Sequence, residues 1–254
     1  MRFLSFLLAF TFTSLAFAED LPPPARVIVN PVVGSSARTL PQWQFGFQRT
    51  AGANINSHLL ANALTVGVLP RLEFGVVPIY YIGVPGSSNF SAKVHFYKGE
   101  DFDAAVSVSE ARFLTRVEYQ GKIETPALVL QSTHLSVNYR PPRFSDLTIS
   151  PFTTTVCAHV DSANAMIFVG SLKCEVERGV DLQWQIKDRE WITFAVGNVR
   201  DTGLSPYEEL HSGLGAAWSK FRPKELISRP SVGVYYTPET SNTLYLLSTT
   251  FYEI

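Results

Sequence analysis

From Val180 to Val196 the chain reads VDLQWQIKDREWITFAV, two alternating runs on either side of a compact charged turn. Successive side chains of a strand point to opposite faces. Val180, Leu182, Trp184 and Ile186 therefore share one face, and Asp181, Gln183, Gln185 and Lys187 share the other. The returning run sets Ile192, Phe194 and Val196 against Trp191, Thr193, Ala195 and Gly197. KDRE at 187–190 is short and polar, as a hairpin turn requires. The same period of two recurs in QWQFGFQ (42–48), FSAKVHFY (90–97), DAAVSVS (103–109) and at 232–237. Over these six runs all 20 positions on one face are apolar, against 5 of 23 on the other. Each strand must then lie between an apolar and a polar environment, and the fold is all-β.

Further strands are expected at about 59–69, 72–81, 126–139, 147–157, 164–174, 213–221 and 243–253, thirteen candidates in total. Tight turns fall around Pro70, at 98–101 and at 187–190, and longer polar connections at 82–89, 110–125, 199–211 and 222–230. Alternation alone does not name the solvent that the apolar face meets, because a soluble β-sandwich also has one apolar face per strand. Three features favour lipid. The polar face carries Gln, Lys, His, Asp, Ser and Gly on strand after strand, as a polar lumen would. The apolar face is rich in Phe, Trp and Tyr, the residues of aromatic girdles. The strand count is high for a single sandwich. The alternative is a soluble periplasmic β-protein that binds an apolar ligand in its core.

The opening MRFLSFLLAFTFTSLAFAED has one Arg, an apolar stretch from Phe3 to Phe17, and Ala16 and Ala18 ahead of Glu19. That is the pattern of a cleaved export signal, 1–18, too short in its apolar part to span a bilayer. Residues 19–41, including LPPPA, form an extended periplasmic lead-in, and 42–254 the barrel domain. A formal charge of -1 for the whole chain gives no electrostatic footprint for nucleic acid. In an exported chain the two cysteines, Cys157 and Cys174, either pair with each other and staple one hairpin or stay as two free buried thiols. Neither has a His or a second thiol at ligand spacing, so no metal is expected, and no cofactor motif is present.

The leader, then NPVVGSSARTLPQWQFGFQ, then chained hairpins such as LTVGVLPRLEFGVV resemble a Gram-negative outer-membrane β-barrel protein over roughly residues 30–254. The resemblance implies a closed antiparallel transmembrane barrel of about 12 strands, an even count being usual for bacterial barrels. It implies outer-membrane lipid and the barrel-insertion machinery as partners, with a small solute as a candidate occupant of the lumen. Its expected role is a narrow pore, passive transport or structural barrel without catalysis. The amino terminus and the tight turns would face the periplasm. The last strand, TLYLLSTTFYEI, places Leu244, Leu246, Tyr252 and Ile254 on one parity and ends in Ile where such barrels often end in an aromatic residue.

One run suggests chemistry. In STHLSVNYR (132–140), His134, Ser136 and Asn138 fall at i, i+2 and i+4, on one face of a strand. A hydroxyl beside a His that can take its proton, oriented by a third polar group, is the logic of an activated nucleophile. Outer-membrane phospholipases and lipid A deacylases resemble this, which makes His134 the general base, Ser136 the nucleophile and Asn138 the orienter of an alternative, esterase reading. Against it, Leu135, Val137 and Tyr139 form the apolar face, which turns His134 and Ser136 to the lumen. The other candidate lumen-lining residues are Lys93, His95, Asp103, Asp181, Gln183, Gln185 and Lys187. These mixed signs suit either a charged pore lining or a network that fills a narrow barrel.

Overall fold

A computed structural model describes residues 37, 39–40, 42–43, 45–53, 58–78, 81, 86–114, 117–119, 122–161, 173–200, 210–221 and 227–253. The export signal and most of the lead-in lie outside these residues. Among the described residues no helix is long and apolar enough to cross a membrane. Fourteen strands form: β1 Phe45–Ala53, β2 His58–Leu69, β3 Leu72–Val76, β4 Ser88–Lys98, β5 Phe102–Leu114, β6 Val117–Tyr119, β7 Lys122–Glu124, β8 Ala127–Tyr139, β9 Leu147–Asp161, β10 Lys173–Lys187, β11 Glu190–Arg200, β12 Leu210–Lys220, β13 Ile227–Thr237 and β14 Asn242–Glu253.

All pairings are antiparallel, and the order is β1-β14-β13-β12-β11-β10-β9-β8-β5-β4-β3-β2. Because β1 pairs with β14 over Phe45–Ala53 and with β2 over the same residues, these twelve strands form a closed barrel. β6 and β7 pair only with each other, as a hairpin between β5 and β8. The connection expected at 110–125 is thus shorter than it reads, since β5 runs on to Leu114. The candidate strand at 164–174 has no element of its own here: 164–172 lies outside the described residues, and Lys173 and Cys174 open β10.

Turn chemistry fixes the two ends. The links β2–β3, β4–β5 and β10–β11 are two or three residues long, and each carries a register shift that absorbs an extra residue, at Gly67/Leu69, His95/Tyr97 and Gln185/Lys187. Arg189 completes the last turn with φ 63°. These links share one end of the ring with the start of β1 and the finish of β14; the links at 77–87, 115–126 and 162–172 lie at the other. Wall height is uneven. β5 and β8 have 13 residues and β9 and β10 have 15, against 9 in β1 and 5 in β3.

Prolines sit where a missing N–H is tolerated. Pairing of β12 with β13 stops at Ser231, next to Pro230. Pairing of β8 with β9 skips from Ser136↔Phe152 to Tyr139↔Ile149, opposite Pro151. That gap in the ladder falls beside Asn138.

The barrel is inverted relative to a soluble core. Phe90, Val94, Leu135, Leu182, Trp184, Phe194, Val196, Leu214, Trp218 and Val232 are exposed, with Trp184 and Val196 at 58%. The alternate positions are buried and mostly polar: Asp103, Ser136, Asn138, Thr148, Ser150, Asp181, Gln183, Thr193 and Ser219. Two of the inward aromatic rings lie over glycines. Phe152 lies over Gly179, and Tyr235 lies over Gly213 and donates its hydroxyl to Gly197 O at 3.2 Å.

One detail departs from strict alternation. Tyr97, expected on the His95 face, is exposed, because the bulge between His95 and Tyr97 resets the period; its ring meets Phe102 at 5.4 Å. In β14, Tyr245 pairs with Val234 and is exposed.

Candidate functional site: the polar barrel interior

The interior at the short-turn end is built around Asp103, on the second residue of β5 and 0% exposed. Arg140, the residue after β8, places Nη1 2.5 Å from Asp103 Oδ2. The same guanidinium donates from Nε to Glu100 O at 2.9 Å and from Nη2 to Gly99 O at 3.1 Å and Glu100 O at 2.6 Å. It therefore ties the β4–β5 turn to the end of β8 while neutralising a carboxylate that could not stay buried alone. His95 Nε2 lies 3.4 Å from Asp103 Oδ1. A second, half-buried pair stands beside it on the wall, Lys93 Nζ 3.3 Å from Glu73 Oε1, brought together by the register Glu73↔Lys93.

Across β8 the inner wall continues with Asn138, whose Oδ1 accepts from Ser150 Oγ at 3.1 Å. Above it, Ser136 is buried between Ala105 and Phe152 in the registers of its two neighbours. His134 Nδ1 and Thr154 Oγ1 are 2.6 Å apart, and the His134 ring stacks on Phe152 with centroids at 5.6 Å. Ser109 and Ser132 bond hydroxyl to hydroxyl at 2.7 Å. Asp181 and Gln183 are buried on β10, Gln185 is half-buried, and Lys187, at the last position before the turn, is exposed. Lys93, His95, Asp103, Asp181 and Gln183 thus share the interior, while Lys187 does not reach it.

His134, Ser136 and Asn138 do lie on one face, and it is the inner one. Their described partners include Thr154 for His134, and Ser150 together with the Ala37 N–H for Asn138. Cys157 and Cys174 face each other directly in the β9–β10 register and are bonded, with Cα atoms 4.1 Å apart. Their bond lies beyond Val180 and Leu182 from the short-turn end, near the mouth with longer connections. Among the described residues no group of three or more His, Cys, Asp or Glu could hold a metal ion.

Four contributors escaped the sequence reading. Arg140 continues the series His134, Ser136, Asn138 at i+6, so its parity was available; Glu73 faces Lys93 only through a non-local register. The other two precede β1. Leu40 donates its backbone N–H to Glu73 Oε2 at 2.8 Å, and Ala37 donates its own to Asn138 Oδ1 at 3.4 Å. Both side chains are buried, Ala37 at 0% exposure. No alternation signal marks a segment that is not a strand.

No family model matches the chain, and no curated protein sequence matches it. Among solved structures it is similar to the translocator domain of autotransporter NalP from Neisseria meningitidis, at 9% identity over 85% of this chain and 89% of that one, with a TM-score of 0.49. It is similar to outer-membrane expressed OmpT of Vibrio cholerae, at 8% identity over 85% and 100%, TM-score 0.44. It is also similar to KdgM porin in complex with disordered oligogalacturonate, at 7% identity over 81% and 98%, TM-score 0.40. At these identities and scores none of them carries a residue's role to this chain.

Proposed function

We propose that this protein is a twelve-stranded transmembrane β-barrel of a Gram-negative outer membrane, and that it serves as a narrow passive pore or structural barrel without catalysis. The observation that carries the reading is the inverted distribution of side chains: aromatic and branched residues outside, Asp, Asn, Gln, Ser and Thr inside. In water, a belt of exposed Phe, Trp, Leu and Val running from strand to strand would far exceed the few hundred Å² of contiguous apolar surface a soluble monomer tolerates. In lipid the same belt is the favoured surface, and a ring in which every strand has two neighbours leaves no unpaired edge.

The dimensions fit. On β10 the outward positions Val180, Leu182, Trp184 and Ile186 lie between Arg178 and Lys187. A run of that length at about 3.3 Å per residue, tilted by about 40°, rises roughly 23 Å, close to the roughly 25 Å apolar band of such barrels. Exposed Phe45, Phe74, Phe96, Tyr97, Phe102, Tyr139, Trp184 and Trp218 cluster toward the short-turn end, as an aromatic girdle would. Short turns face the periplasm in bacterial barrels, which sets that end inward and the longer connections outward.

The esterase alternative is less well supported. A nucleophile for acyl chains belongs on the lipid side, whereas Ser136 is 1% exposed on the inner face. The soluble alternative lacks an apolar interior in which to hold an apolar ligand. Outer-membrane lipid and the insertion machinery are the partners this reading requires. Cell fractionation tests it: the protein should remain with the outer membrane, require detergent for extraction, and run as a heat-modifiable band. Recovery from the periplasm without detergent would overturn it.

A further inference from the structure

We infer that Ala37, Thr39 and Leu40, just ahead of β1, belong to an internal stopper that closes the barrel at its short-turn end. This inference rests on the barrel reading above and deepens it. The anchors of the segment lie on well-separated walls. Leu40 packs against Gly46 of β1, where a methyl group would stand 3.0 Å from Leu40 Cδ1, and its N–H reaches Glu73 on β3. Ala37 donates to Asn138 on β8. In the ring β3 and β8 are separated by β4 and β5, and β1 lies two strands beyond β3, so the segment ties together inward side chains from three separate sectors of the wall.

The space matches what crosses it. Twelve strands about 4.8 Å apart and tilted about 40° form a ring roughly 24 Å across its backbone. Inward side chains on both walls reduce that to roughly 12 Å, and an extended chain with its own side chains occupies about 10 Å. A wet lumen would leave its lining accessible to water, yet Asp103, Asn138 and Asp181 are no more than 1% exposed. The anchors are also economical of apolar contact: two backbone N–H groups given to Asn138 and Glu73, and one leucine on a glycine. Glu73 is shared, since Lys93 neutralises the carboxylate that accepts the Leu40 N–H. Loss of these few contacts would free the segment without breaking any wall pairing.

The test is single-channel recording on full-length protein refolded into planar bilayers, with folding of each variant checked by heat-modifiable migration. Wild type should be closed or carry small currents. Leu40→Asp with Asn138→Ala sets a carboxylate beside Glu73 and removes the Ala37 acceptor, and should raise the steady conductance severalfold. Ala37→Cys with Asn138→Cys also removes the Ala37 acceptor, so the unlinked protein should conduct more than wild type, and a short thiol-reactive linker joining the two positions should close it again. A folded Leu40→Asp/Asn138→Ala barrel with wild-type currents would overturn the stopper and leave the barrel reading intact. If that variant does not fold, the linker decides: failure to bridge positions 37 and 138 in a folded barrel overturns the inference, and bridging that abolishes residual current supports it. A protein soluble without detergent would instead bring down the barrel reading itself.

Discussion

Phe194→Arg distinguishes lipid from water by the size of one free-energy change. Phe194 is 51% exposed on β11, between Ile192 and Val196 along the strand, and pairs with Leu182 and Ala216 on its neighbours. If those residues are bathed in acyl chains, Arg near the middle of the band destabilises the barrel by about 2–4 kcal/mol, a shift of roughly 30- to 700-fold in the folding equilibrium. If they are bathed in water, replacing a half-exposed Phe by Arg changes stability by no more than about 0.5 kcal/mol. Thr133→Arg supplies the depth control. Thr133 is exposed on the outer side of β8, pairs with Val108 and Thr155, and sits above the apolar band, where Arg should cost about 0–1 kcal/mol. Urea titration of protein refolded into lipid vesicles, followed by the fluorescence of the four tryptophans, measures both. Equal midpoints for the two variants would refute the lipid-facing placement.

Three more outcomes are expected from the same titration. Gly213→Ala would set a methyl group 2.3 Å from the Tyr235 hydroxyl and 2.4 Å from Cζ, so it should destabilise by about 1–3 kcal/mol, and that penalty should vanish in a Tyr235→Ala background. Asp103→Ala strips Arg140 of its buried counter-charge and should destabilise by about 3–5 kcal/mol; a double-mutant cycle with Arg140→Ala should show strong coupling, and additive losses would mean that the pair does not act together. Replacing Cys157 and Cys174 by Ser should remove about 3 kcal/mol, and wild type titrated with a reductant should move to the same midpoint.

Much of the wall was legible because period two is a local property. The outward Phe90, Val94, Trp184, Phe194 and Val232, and the inward Asp103, Asp181, Gln183 and Thr193, follow from neighbours two residues apart. Reading failed where local order is interrupted or irrelevant. A single extra residue between His95 and Tyr97 turned Tyr97 outward. The candidate site was legible only in part. Asp103, His95 and Lys93 announce themselves as charges on a polar face, but Arg140 was hidden by its position at a strand end, and Glu73 by a register that no local pattern reveals. The segment at 37–40 carries no periodicity at all; its place depends on which walls happen to lie beside it.

The uneven height of the wall gives the two rims different characters. β5, β8, β9 and β10 run past the apolar belt, and there their outer side carries Glu110 with Gln131, and Arg112 with Asp161 at 2.6 Å. A parapet therefore rises over one sector of the outward mouth, laced by these polar rungs and riveted by Cys157 to Cys174. Among the described residues this collar stands over the sector of β5, β8, β9 and β10. A chemical attack on that rivet would soften the collar first and leave the greasy belt, several rows below, untouched.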